Sequence, residues 1–309
     1  MIVEANGLQI AVERNEPPGG AREQVLLVMG LGGQIIHWPD AFVRTLTNAG
    51  YGVVRFDNRD AGLSQTMTGR GAPHLLVAGL RRALGLPLRP PYTLQDMARD
   101  ALGVLDALGV ARAHVAGMSL GGMIAQRMAI AAPERCATLA SIMGSSGARG
   151  LPGARPHVVL AMLRKPRGHD LEAVTRYYLN LYRVMGGPAF AAPQEQMCEL
   201  AARTIARGYN PPGNLRQVAA VLADITRAAE LARVRCPTLV LHGDADPLLP
   251  IACGRDTARR IAGARFVAIP GGGHDLAPSA FDEFARHLLP FWREHPMNEP
   301  APQHDPLHA

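Results

Sequence analysis

Residues 113–130 read AHVAGMSLGGMIAQRMAI. The apolar run Ala113–Gly117 has strand character, and apolar residues continue at helical spacing from Leu120 toward Ala132. Between them lies Gly117-Met118-Ser119-Leu120-Gly121, a Gly-x-Ser-x-Gly pattern. Six serines and 33 glycines in 309 residues produce that pattern by chance with a probability of roughly 0.07, so the letters alone decide little. The context decides more, because a strand entering and a helix leaving is the strand–turn–helix that a nucleophile elbow requires. The turn forces a strained backbone at its serine, and only small neighbours at 117 and 121 let it close. A glycine-rich packing turn is the competing reading, and the rest of the chain must choose between the two.

Working outward, the same alternation recurs on both sides. Ile2–Ala5 and Leu8–Glu13 flank Asn6-Gly7, a two-residue hairpin signal. VLLVM at 25–29 is a continuous apolar run that reads as a strand buried on both faces. Helix over 41–49, strand over 52–56, helix over 94–108 capped by Thr93, and strand over 137–143 follow. From 145 to 233 no β-run appears; helical patterns cover 171–184, 194–206 and 215–234. Strand TLVLH at 238–242, a helix through Arg260, strand RFVAI at 265–269 and a helix over 279–292 then resume the alternation. The pattern predicts an α/β fold with a mostly parallel, doubly wound sheet. Its core spans residues 1–144 and 234–294, a helical cap is inserted at 145–233, and 295–309 form a disordered tail. Segment 69–91 reads either as a short helix or as a surface loop.

In such sheets the reacting groups gather in loops at the carboxyl ends of strands. A serine hydroxyl needs an adjacent base. Among the 11 histidines, His274 follows a strand through Pro270-Gly271-Gly272-Gly273 and lies late in the chain, as the order serine, acid, histidine requires. His242 sits within a strand and reads as a core or loop-anchoring residue; His295, His304 and His308 fall in the tail. The base needs a carboxylate to fix its tautomer. In GDADPLLP, Asp246 precedes Pro247 in a turn that would present it, and Asp244 reads as a turn-stabilising residue. The oxyanion donors are expected to be the backbone N–H groups of Leu120 and of Leu31, the latter in the flexible Gly30-Leu31-Gly32-Gly33 turn. Gly30, His37 and Met118 are candidate substrate-binding positions.

Composition excludes several classes. No run approaches the eighteen or so apolar residues of a membrane helix, and the first residues lack the basic and apolar regions of a signal peptide. Cytoplasmic location without stable membrane insertion is the expectation. Cys136, Cys198, Cys236 and Cys253 are widely spaced and read as free thiols. The net charge of +6 comes from arginines scattered among acids, with Lys165 the single lysine; that is a solvated basic surface, not a nucleic-acid stripe.

The motifs MGLGGQ (29–34), HWPD (37–40), RFDNRDAGLS (55–64), GMSLGG (117–122), HGDADPLLP (242–250) and GGGH (271–274) together resemble the bacterial α/β-hydrolases from near the start to about residue 293. MGLGG, WPD and FDNRDAGLS resemble the lipase/esterase-like branch that contains aclacinomycin methylesterase. The chain departs from the branch in placing Met29-Gly30 where His-Gly is common. The resemblance implies that the 57–64 segment is structural, with Arg59 and Asp60 outside the chemistry. It further implies two-step hydrolysis of a small lipophilic or aromatic ester, with no cofactor or metal. Met162, Met185, Met197, Tyr177 and Tyr182 are then candidate cap residues for an apolar site, though ordinary packing explains each singly. A serine argues against the dehalogenases and epoxide hydrolases of this fold, which use aspartate. Perhydrolase, C–C hydrolase, acyltransfer and non-catalytic binding readings stay open at this point.

Overall fold

A computed structural model describes residues 1–71, 73–164, 166, 170–190 and 192–297. Eight strands form one sheet: β1 (Ile2–Ala5), β2 (Leu8–Asn15), β3 (Glu23–Val28), β4 (Tyr51–Phe56), β5 (Ala113–Met118), β6 (Cys136–Ile142), β7 (Thr238–Gly243) and β8 (Arg265–Ile269). Their order is β1-β2-β4-β3-β5-β6-β7-β8. β2 runs antiparallel to β1 and β4, and every other pairing is parallel. The hairpin at Asn6-Gly7 is present, both residues having positive φ.

The helices are α1 (Asp40–Asn48), α2 (Leu75–Ala83), α3 (Leu94–Ala107), α4 (Leu120–Ala131), α5 (Pro156–Leu163), α6 (Leu171–Met185), α7 (Gln194–Gly208), α8 (Pro211–Ala223), α9 (Arg227–Glu230), α10 (Ala252–Arg260) and α11 (Pro278–Glu294). Strand alternation sorts the core into two layers. Leu26 and Val28 pack with α3 and α4 on one face, while Val25 and Leu27 pack with α1 and α11 on the other. That is why the central strands are apolar throughout. Thr93 caps α3 as expected, its Oγ1 accepting the Asp96 N–H at 3.1 Å.

The helical block between β6 and β7 differs from the sequence reading in detail. Helix α5, which Pro156 opens at its first turn, lay in a stretch without a recognised period. The single helix expected over 215–234 starts earlier and breaks at Asp224. Asn210 caps α8 by accepting the Gly213 N–H at 3.1 Å. The Asp224 carboxylate is held by Arg127 and Arg227, which ends the helix. Ala220, Leu231 and Val234 join the core layer under α4. Within 69–91, residues 75–83 are helical. The tail from 298 and the lone Lys165 lie outside the described residues.

Candidate active site

Ser119 sits between the last residue of β5 and the first of α4, at φ 57° and ψ −118°. Two contacts explain why the chain accepts this strain. The Ser119 N–H donates to Ile142 O on the neighbouring strand at 2.8 Å. Gly121 lies so close to β3 that a Cβ there would collide with Val28 O, so α4 reaches the sheet only with glycine at that position.

His274 and Asp246 come together from loops 28 residues apart in sequence, with Nδ1 and Oδ2 separated by 2.7 Å. Asp246 follows β7 and is buried; its other oxygen accepts the N–H groups of Leu248 and Leu249, both at 2.8 Å. Burial opposes its ionisation, but facing His274 and the Leu249 amide hold its carboxyl below the ordinary value. With Nδ1–H donated to Asp246, His274 Nε2 is left as an acceptor, the tautomer a base requires. Among the described residues Ser119 Oγ has no hydrogen-bond partner, and the final contact to His274 is open. Asp244 accepts the Gly271 N–H at 2.7 Å, so it ties the loop after β7 to the loop of His274. His242 is buried, donates Nε2–H to Leu249 O at 2.6 Å and anchors the Asp246 turn.

The loop after β3 passes directly over the serine. A Cβ on Gly30 would stand 3.2 Å from Ser119 Cβ and 3.7 Å from its Oγ. Neither the Leu31 nor the Leu120 N–H is spent on another described residue. The turn around Leu31 is braced from four sides. Gly33 N–H reaches Gly30 O at 3.0 Å, and Gly32 N–H reaches Gln217 Oε1 at 2.9 Å. Asn58 donates to Met29 O at 2.9 Å, and Asp57 accepts the Ile35 N–H at 2.6 Å. Met118 packs in the core with Ala140 and Ile142, and its carbonyl oxygen would stand 3.2 Å from a Cβ on Gly30.

His37 occupies a buried position between the loop after β3 and the helical block. Its Nδ1 accepts the Gln34 N–H at 3.0 Å, so the other nitrogen carries the hydrogen; Tyr182 and Thr204 hydroxyls lie 3.4 Å from it. Burial, aided by Arg207, pushes its pKa down to about 4. A cleft of about 200 Å³ opens beside it, walled by His37, Met197, Leu200, Leu276 and Pro278; Ser119 and His274 do not line it. Met162 faces outward, and the Met185 carbonyl accepts the His274 N–H at 2.8 Å. Tyr177, Tyr178, Tyr182 and Tyr209 form a run of ring contacts with centroids 5.8–6.2 Å apart.

The sequence did not disclose the charged clamp behind this site. Asp60 takes two hydrogen bonds from Arg216, at 2.8 and 2.7 Å, and one from Tyr92 at 2.7 Å. Asp57 pairs with Arg207 at 2.8 Å, and Arg59 pairs with Asp100. Arg207 and Arg216 come from α7 and α8, so the 57–64 segment bolts the helical block to the sheet. Two aspartates beside an apolar strand signalled buried partners; their distance along the chain hid which.

A family model for the alpha/beta hydrolase fold matches residues 24–280. The chain is an α/β-hydrolase. Among its relatives, this hydrolase is 33% identical over 282 residues to rhodomycin D methylesterase DnrP of Streptomyces peucetius, covering 84% of this chain and 88% of that one. RutD of Caulobacter sp. (strain K31), named for carbamate hydrolysis, is 27% identical over 281 residues, covering 89% and 92%. The enol-lactonase of Burkholderia xenovorans superposes with a TM-score of 0.69 at 20% identity, over 95% of this chain and 100% of that one.

Proposed function

We propose that this α/β-hydrolase is a carboxylic ester hydrolase in which Ser119 is the nucleophile, His274 the base and Asp246 its orienting acid. The observation that carries the reading is the 2.7 Å His274–Asp246 contact on the loops after β7 and β8, at the same sheet edge as the strained serine. Ser119 attacks the ester carbonyl, His274 takes its proton and passes it to the leaving alcohol, and water then opens the acyl-enzyme. The N–H groups of Leu31 and Leu120 receive the developing oxyanion. Hydrogen bonds of this kind often tighten only when substrate binds, so the open Ser119–His274 contact is compatible with the reading.

A lipophilic, aromatic ester with a small alcohol group fits best. The tyrosine run on α6 and at Tyr209 supplies ring faces for an aromatic acyl part, and the methylesterase relative supports the small leaving group. The helical block serves as the cap that selects substrate. Carbamate hydrolysis is the second reading, favoured by the RutD relative and open to the same acyl chemistry.

The test is hydrolysis of p-nitrophenyl esters from acetate to decanoate, alongside methyl esters of aromatic acids and an aryl carbamate, by wild type and Ser119→Ala. Turnover that falls at least about a thousandfold in the variant supports the reading. Absence of turnover on every ester, with or without carbamate cleavage, rejects the esterase assignment.

A further inference from the structure

Seventeen large apolar residues are exposed among the described residues, and ten of them belong to two short stretches, 76–86 and 159–171. On α2, Leu76 is 88% exposed, Leu80 62% and the following Leu84 65%. Their spacing of four puts them on one side of the helix, while Ala78 turns inward. On α5, Val158 and Ala161 are buried and Leu160 and Leu163 face out, Leu163 at 70%. Each helix therefore has an inner face spent on packing and an outer aliphatic face that no described residue covers.

Within the two stretches of chain that carry these helices the charges have one sign. Neither residues 61–95 nor residues 135–169 contain a single Asp or Glu, and between them they carry Arg70, Arg81, Arg89, Arg149, Arg155 and Arg164. The acids that follow α5 in sequence are both engaged on α6: Asp170 caps that helix by accepting the Ala173 N–H at 2.8 Å, and Glu172 is paired with Arg176. Both helices also stand near the site edge of the sheet. Arg82 fastens α2 to Leu222 O and Gly147 O at 3.0 and 2.9 Å. The Arg155 N–H, just before α5, donates to Pro247 O at 2.8 Å, next to Asp246.

We propose that the outer faces of α2 and α5 dock on an anionic lipid surface, the leucines entering the headgroup boundary and the arginines meeting the negative headgroups. Self-association fits worse, since a two-fold contact would set these arginines against their own copies. A protein partner fits worse too, because 61–91 and 135–169 contain no Phe, Tyr or Trp, the residues that enrich protein interface cores. Docking is peripheral: no described helix is long and apolar enough to cross a membrane. An ester dissolved in lipid would thereby meet the site without crossing water, but the docking itself does not rest on the esterase reading.

The test is co-sedimentation of the full chain with vesicles of phosphatidylglycerol and phosphatidylcholine, and of phosphatidylcholine alone, beside the double variants Leu76→Asp/Leu80→Asp and Leu160→Asp/Leu163→Asp. Binding to the anionic vesicles is expected to exceed neutral binding at least about tenfold, to weaken in about 0.5 M salt, and to fall about tenfold or more in each variant. Circular dichroism checks that the variants fold; should either fail to, Arg81→Ser/Arg89→Ser must weaken anionic binding instead. No anionic preference, or undiminished binding by folded variants, overturns the proposal. So does a wild-type dimer in sedimentation velocity that the aspartates split, or capture of an acidic protein without vesicle binding.

Discussion

Asp275 accepts the backbone N–H of Gly187 at 2.9 Å, and this bond fastens the loop of His274 to the turn between α6 and α7. Its other oxygen accepts the Gly273 N–H at 2.5 Å, so one buried carboxylate serves both sides of the seam. Removing it leaves two N–H groups without acceptors. Asp275→Ala is expected to lower stability by about 1–3 kcal/mol in urea denaturation. It should also lower kcat about tenfold or more with a smaller change in KM, because His274 loses its fixed position. Asp275→Asn keeps one acceptor and should fall between. An unchanged kcat in Asp275→Ala would show that the seam does not position the base.

Arg216 and Asp60 form a second seam. Burial raises the cost of the Asp60 charge, yet Arg216, the Met67 amide and Tyr92 hold its carboxyl below the ordinary range. Arg216→Met strands that charge and is expected to cost about 3–5 kcal/mol, while Arg216→Met combined with Asp60→Asn should cost less. Because the folded pKa is lowered, the pair's contribution is complete above a pH of about 4 and is lost as pH falls through the folded value. Urea midpoints measured against pH for the single and double variants check both statements.

His37 gives a pH dependence at milder acidity. Its folded pKa of about 4 lies below the ordinary 6.5, so between those values the unfolded chain binds a proton that the folded chain refuses. Stability must rise with pH across that window, by up to about 3 kcal/mol from this residue. His37→Gln should flatten that part of the stability profile; an equal slope in the variant would assign it to other groups.

Gly30→Ala tests how closely the proposed oxyanion loop passes Ser119. The added methyl requires shifts of a few tenths of an ångström against Ser119 Cβ and Met118 O. The expected result is a fall of about 10- to 100-fold in kcat/KM with a melting temperature close to wild type. A variant as active as wild type would place the reacting carbonyl away from Gly30.

The fold was legible because its signals are local. VLLVM and GVVRF announce buried strands by composition, and the sequence around Ser119 carries its strand, turn and helix within eighteen residues. The Asp246 and His274 loops were readable for the same reason, each following a strand. Choosing Asp246 over Asp244 relied on the prolines of the turn; Asp246 contacts His274 and Asp244 contacts the Gly271 N–H. What stayed hidden is non-local. Nothing near Asp60 names Arg216, which lies 156 residues later, and nothing near Asp224 reveals that Arg127, 97 residues earlier, will join Arg227 in holding its carboxylate. Helix α5 escaped because its apolar residues surround it almost completely, leaving no polar face to set a period.

The most direct test of Ser119 as the nucleophile is intact-mass and peptide-mass analysis after reaction with a fluorophosphonate, which captures an activated serine covalently. One adduct per chain on Ser119 is expected, with none in Ser119→Ala and labelling at least about a hundredfold slower in His274→Ala. An adduct on another residue, or equal labelling of Ser119→Ala, would contradict the account.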